Sequence, residues 1–152
     1  MKALHFITKT PNDVAALIAR LTLGLVFFPH GAQKVLGWFG GYGFTGTMGF
    51  FTGTMHIPAL FAVLAIVAEF AGSLGLITGL FTRIAAFGIL SNMVVAIATV
   101  HSANGFFMNW TGQQKGEGYE YHLLVIGLAI AVIIRGGGLF SADAAIAKAT
   151  SN

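Results

Sequence analysis

Cysteine is absent from the 152 residues. That excludes disulfides, thiolate metal sites, thiol redox chemistry and covalent attachment of a c-type haem. Charge is scarce as well. Asp, Glu, Lys and Arg make up 9% of the chain, against about 25% in a soluble domain, so water is not its main solvent. The net charge of +3 forms no basic tract or stripe, which argues against nucleic acid as a partner. Proline is rare, and only Pro29 falls in the interior of a long apolar run. There it removes one backbone hydrogen bond and predicts a kink.

What is present is apolar. Hydrophobic residues are 56% of the chain, and there are 21 glycines, a residue that membrane helices tolerate. A span needs about 20 mainly apolar residues. Val14–Leu36 and Pro58–Leu80 meet that length, Arg83–Val100 is slightly shorter, and Tyr119–Arg135 is the shortest. Met1–Asp13 is short and mildly basic. The run after it holds Arg20 and lacks a small-residue cleavage site, so it reads as a first membrane helix rather than a removed signal peptide. The expected fold is all-α: residues 1–152 form a single integral membrane domain, a four-transmembrane-helix bundle.

Four spans put both termini on one side. Lys2, Lys9, Arg83, Arg135 and Lys148 fall there, and Lys34 and Lys115 fall opposite. The positive-inside rule then places the termini in the cytoplasm. In the first outer loop Phe44, Met48, Phe51 and Met55 recur at helical spacing. They predict a short helix lying in the outer interface. Ala68/Gly72, Ala71/Gly75 and Gly75/Gly79 in the second span, and Ala85, Gly88, Asn92, Ala96 and Thr99 in the third, read as close helix contacts.

Two charges lie well inside apolar runs, Arg20 and Glu69. An unpaired charge at bilayer depth costs a few kcal/mol or more. At 1.5 Å per residue their depths differ by about 7–8 Å, a gap an arginine can largely cover, so an Arg20–Glu69 ion pair is expected. On the first span Arg20, Gly24, Phe27, Gly31 and Lys34 share one face. His30, Gln33, Lys34, His101, Glu120 and His122 fall near one outer depth, with Glu69 beneath. Such a cluster can pass protons to and from the carbonyl oxygens of a bound quinone. Lys34 can stabilise an anionic headgroup, and aromatic residues such as Trp110 can wall an apolar pocket. Glu69, His30 and Lys34 are therefore the candidate catalytic residues. Arg20, His101, Trp110, Glu120 and His122 are the candidate cofactor-binding ones. Each also has a structural reading, as a helix cap, a snorkelling amine or a dipole partner. Haem b between His30 and His101 or His122 is a weaker alternative. A metal site among His101, Glu117, Glu120 and His122 stands level with it, because Glu120 and His122 diverge on an ideal helix.

The stretch from Arg20 to Lys34 (RLTLGLVFFPHGAQK) resembles the opening of DoxX-like membrane proteins. So does Glu69 to Arg83 (EFAGSLGLITGLFTR), and so do Gly118-Tyr119-Glu120 and Gly136 to Asp143 (GGGLFSAD) near the end. The resemblance covers about residues 14 to 145. It implies a four-helix protein of the cell inner (plasma) membrane, with Arg20, Lys34, Glu69, Arg83, Glu120 and Asp143 as its polar positions. The best-known relatives resemble the membrane subunit of thiosulfate:quinone oxidoreductase. The resemblance thus implies a quinone-linked oxidoreductase subunit working with a separate redox partner chain. A non-catalytic anchor for a redox complex and a small proton-coupled transporter stand beside it. Gly-rich helix faces are compatible with a homo-oligomer.

Overall fold

The computed structural model describes residues 2–150. Among them are seven α-helices and no strand: α1 (Lys2–Thr8), α2 (Val14–Leu36), α3 (Gly43–Gly49), α4 (Ala59–Thr78), α5 (Thr82–Thr99), α6 (Glu120–Arg135) and α7 (Ala142–Ala149). Three of these, α2, α4 and α5, are long and apolar enough to cross a membrane. In the first long loop α3 runs on into a π-helical turn, Phe50–Thr54.

Helix ends follow local chemistry. Asp13, in extended backbone, accepts the N–H of Ala15 (2.8 Å) and Ala16 (3.4 Å) and so starts α2. An N-cap carboxylate satisfies donors that the helix leaves unpaired. The helix continues through Pro29 and stops at Gly37, which takes φ 71°. Gly79 ends α4 with φ 75°, and a Cβ there would fall 2.5 Å from Ser141 Cα, so the position needs glycine for conformation and for space.

The four long helices pack in a ring, α2 against α4, α4 against α5, α5 against α6 and α6 against α2. Small residues set the closest approach. Gly24 meets Ser73 and Ile77, and Gly31 meets Glu69 and Phe70, so α2 and α4 run antiparallel. A Cβ on Gly31 would lie 2.6 Å from Phe70 Cα. That contact brings the two backbones together and fixes the level at which α2 looks onto Glu69. Inside the ring, Leu23, Phe27, Leu76, Ile89, Val125 and Val132 form the apolar core. The terminal helices α1 and α7 contact each other at one end.

At that end the polar residues tie helix termini together. A helix leaves its last four carbonyls without partners and its first turn partly positive. Arg20, buried, donates to five carbonyls: Leu76 (2.8 Å) and Ile77 (2.7 Å) at the end of α4, and Gly137 (2.7 Å), Leu139 (3.2 Å) and Phe140 (3.1 Å) in the loop between α6 and α7. Arg83 donates to Ile133 (2.5 Å) and Ile134 (3.2 Å) at the end of α6 and to Lys9 O (2.8 Å). Asp143 does the converse at the start of α5. Its carboxylate accepts the N–H of Phe81 (2.7 Å) and Thr82 (2.9 Å) and the Thr82 hydroxyl (2.6 Å). Phe81 is held there at φ 48°. Ser141 caps α7, accepting the Ala144 N–H at 3.2 Å.

The expected Arg20–Glu69 ion pair is therefore not formed. An arginine carries five N–H donors, and all five are taken by carbonyls on the side of α2 away from Glu69 in depth.

Two outcomes follow. Arg20→Lys keeps the charge but brings three donors where five carbonyls wait. At about 1–3 kcal/mol for each buried polar group left unpaired, it should cost at least about 2 kcal/mol. A thermal melt of the detergent-solubilised protein reads this as a lower apparent Tm, and an unchanged melt would contradict the clamp. Asp13 gives the second. The hydrogen bond from Arg135 (2.7 Å) holds its carboxyl below the ordinary 3.8, against a smaller opposing push from burial. A depressed folded-state pKa stabilises the fold above the unfolded value and is lost as pH falls through the folded one. The melt should therefore fall below about pH 4, and Asp13→Asn should flatten that part of the profile.

Candidate functional site

Glu69 sits midway along α4 and is 8% exposed. Its partner comes from α2. Lys34 Nζ lies 2.5 Å from Glu69 Oε2, a charge-assisted hydrogen bond. The pairing follows from the face read in the sequence: Arg20, Gly24, Phe27 and Gly31 are buried, and Lys34 continues that stripe to the level of α4. A third helix adds Asn92, whose amide donates to Ala65 O (2.9 Å) and to Glu69 Oε1 (3.5 Å). Tyr121 of α6 is within electrostatic reach of Glu69. Lys34 keeps 24% of its side chain exposed, so the pair is desolvated but not sealed.

The expected outer layer divides into two. Lys34, Glu69 and Asn92 make a centre within the helix ring. A rim above it holds the remaining groups. His101, just past α5, and His122, in the first turn of α6, face each other with ring centroids 4.0 Å apart. His101 Nδ1 is 2.8 Å from Glu117 O, and the buried Nδ1 of His122 has no partner. Glu120 Oε1 accepts the N–H of Met108 (2.8 Å) and the indole N–H of Trp110 (3.2 Å). Glu117 accepts the N–H of Asn109 (2.7 Å). These carboxylates fasten the 105–118 loop onto the head of α6.

Between loop and helix is an open groove of about 610 Å³, walled by Phe106, Met108, Trp110, Tyr121, Leu123 and Leu124, with Glu120 as its one charged residue. Trp110 and Leu124 are strongly exposed, so the groove opens away from the ring.

Not every candidate joins these sites. His30 is exposed and packs its ring 6.0 Å from Phe27. It is an i, i+4 neighbour of Lys34 but lies about 100° round the helix from the Gly31 contact with α4, and its ring stays exposed. Arg20 lies at the opposite end of α2, committed to carbonyls. Among the described residues no three His, Asp or Glu side chains converge as a metal-ligand set. Asn92 was read in the sequence as part of a packing face. Its signal was present, an amide in the middle of an apolar run.

A family model, DoxX, matches residues 15–102, which span α2 to α5 and hold Arg20, Lys34, Glu69 and Asn92. The chain belongs to the DoxX family. It is 26% identical over 140 residues to the inner membrane protein YqjF of Escherichia coli (strain K12), covering 92% of this chain and 98% of that one. It is also 26% identical over 140 residues to the putative oxidoreductase CatD of Bacillus subtilis (strain 168), covering 92% of each. No solved structure matches. This DoxX protein is thus an all-helical membrane protein whose charged centre lies inside the matched region.

A double-mutant cycle tests the centre. Glu69→Gln leaves a desolvated ammonium, and Lys34→Met leaves a desolvated carboxylate. Each should lower stability by about 2 kcal/mol. The double variant should recover part of that loss, with a coupling of at least about 1 kcal/mol. Additive losses in the melts would show that the two side chains do not act on each other.

Proposed function

We propose that the chain is a four-span protein of the inner membrane, with α6 as the fourth span, both termini in the cytoplasm and α3 in the outer interface. In that frame it is the membrane subunit of a quinone-linked oxidoreductase. The ends of α2, α5 and α6 nearest the termini carry Arg20, Arg83 and Arg135, with Lys9 and Lys148 close in sequence, while Lys34 and Lys115 lie at the opposite end. This bias supports the orientation. At 16 residues α6 is about 24 Å long, short for a span but extended by the Tyr119 and Gly136 caps.

The observation that carries the redox reading is the Lys34–Glu69–Asn92 centre, held by three helices and still open at Lys34. A charge pair of this kind is costly for a merely structural contact in lipid, and it offers a donor and an acceptor side by side. The apolar groove beside Glu120 and Tyr121 suits an amphiphile with an isoprenoid tail. A quinone supplies the two-electron carrier: it takes two electrons and two protons and leaves as the quinol. Electrons come from a separate reductant-oxidising partner. Lys34 steadies negative charge on a headgroup oxygen. The Lys34 ammonium gives that oxygen a proton, and Glu69, taking protons from the outer rim, returns one to Lys34 for each of the two delivered. Tyr121 and the His101–His122 pair connect the centre with the outer rim. The B. subtilis relative, named a putative oxidoreductase, supports the reaction class.

The test is quinone retention. Protein purified in mild detergent should carry quinone well above its share in the parent membrane. Glu69→Gln and Lys34→Gln should lower that retention at least about tenfold while bulk phospholipid is unchanged. If wild type shows no enrichment, the reading fails. If Glu69→Gln lowers only the yield of a co-purifying complex, the chain is an anchor for that complex.

A further inference from the structure

A second cavity, of about 340 Å³, lies at the end of the ring that carries the termini. It is formed by residues 9–11, the first turn of α5 and the last turn of α6, and is lined by Lys9, Thr10, Pro11, Arg83, Ile134 and Arg135. Three of those six are cationic. The carboxylate beside them, Asp13, is engaged by Arg135 at 2.5 Å. Asp143, at the same end, is buried in the start of α5 by three hydrogen bonds. The cavity therefore keeps an excess of positive charge.

The cations are not used up. Among the described residues the Lys9 amine is exposed and takes part in no hydrogen bond or ion pair. Arg83 spends Nη1 on the Ile133 and Ile134 carbonyls and one Nη2 hydrogen on Lys9 O. Its second Nη2 hydrogen is uncommitted, and its buried Nε–H has no partner. Next to these donors the wall turns apolar. Ile134 is 68% exposed, and Ile130, one turn earlier on α6, is 44% exposed. Both belong to one stripe on the outside of the ring.

We propose that this cavity is a headgroup site for an anionic phospholipid. The phosphate sits between Lys9 and Arg83 with Arg135 at the rim, and an acyl chain runs along Ile134 and Ile130. A basic pocket at a helix end on the cytoplasmic side, bordered by a lipid-facing apolar stripe, fits both parts of such a molecule. A zwitterionic lipid brings a cation of its own into the same cavity and is disfavoured. Occupancy would also join the 9–11 segment to α5 and α6, reinforcing the Arg83 clamp on Lys9 O. The site rests on the proposed four-span orientation and is independent of quinone.

Native mass spectrometry of the full chain, with equal amounts of phosphatidylglycerol and phosphatidylcholine, tests it. Phosphatidylglycerol adducts should exceed phosphatidylcholine adducts severalfold. Lys9→Gln should cut them about fivefold, the effect of one basic side chain near an anionic headgroup. It leaves the Lys9 carbonyl in place for Arg83, so the fold is kept. Ile134→Ser should weaken lipid adducts too, and Lys115→Gln, in the opposite loop, should change nothing. Equal binding of the two lipids, or no effect of Lys9→Gln, overturns the proposal. Displacement of the lipid by a large excess of inorganic phosphate also overturns it, by assigning the cavity to a soluble anion.

Discussion

The guanidinium of Arg20 is the point on which the rest of the molecule hangs. It gathers the last carbonyls of α4 and the loop between α6 and α7 around one buried charge, so three parts of the chain close on a single side chain. Arg83 does the same for the end of α6, and Asp143 does the opposite at the start of α5. Arg20, Arg83 and Asp143 each meet a helix terminus of opposite polarity. For these three the fold places ionised groups near a membrane with backbone dipoles as the counter-charge, while Arg135 pairs with Asp13.

The rest follows from that commitment. With Arg20 saturated, Glu69 needs a different cation, and Lys34 is the one the Gly24–Gly31 contact brings to its level. The result is a polar centre isolated from the clamped end by the apolar core between Leu23 and Val132. One end of the ring is rigid and structural. The other carries an open ion pair, a histidine couple and an apolar groove. This division of labour is what makes the proton-handling reading of Lys34 and Glu69 coherent.

Much of this was legible in the sequence. Val14–Leu36 matches α2 residue for residue, because Asp13 and Gly37 mark its ends chemically. The buried face Arg20, Gly24, Phe27, Gly31 follows from helical periodicity alone. The partner of Glu69 was not legible. Depth along two helices made Arg20 reachable, but periodicity says nothing about carbonyls on a loop more than a hundred residues away. His30 stays exposed beside Lys34, about 100° round α2 from the Gly31 contact, a position that depth along the helix does not specify. The role of Asp143, which the resemblance gave only as a polar position, was hidden because its hydrogen bonds run to another helix.

The most direct test of the account is a solid-state NMR distance measurement in lipid bilayers, with ¹⁵N-labelled lysine and arginine and ¹³C-labelled glutamate. The account predicts a strong dipolar coupling between Lys34 Nζ and the Glu69 carboxylate carbon and none between Glu69 and the Arg20 guanidinium. A coupling from Glu69 to Arg20, with Lys34 uncoupled, would contradict it.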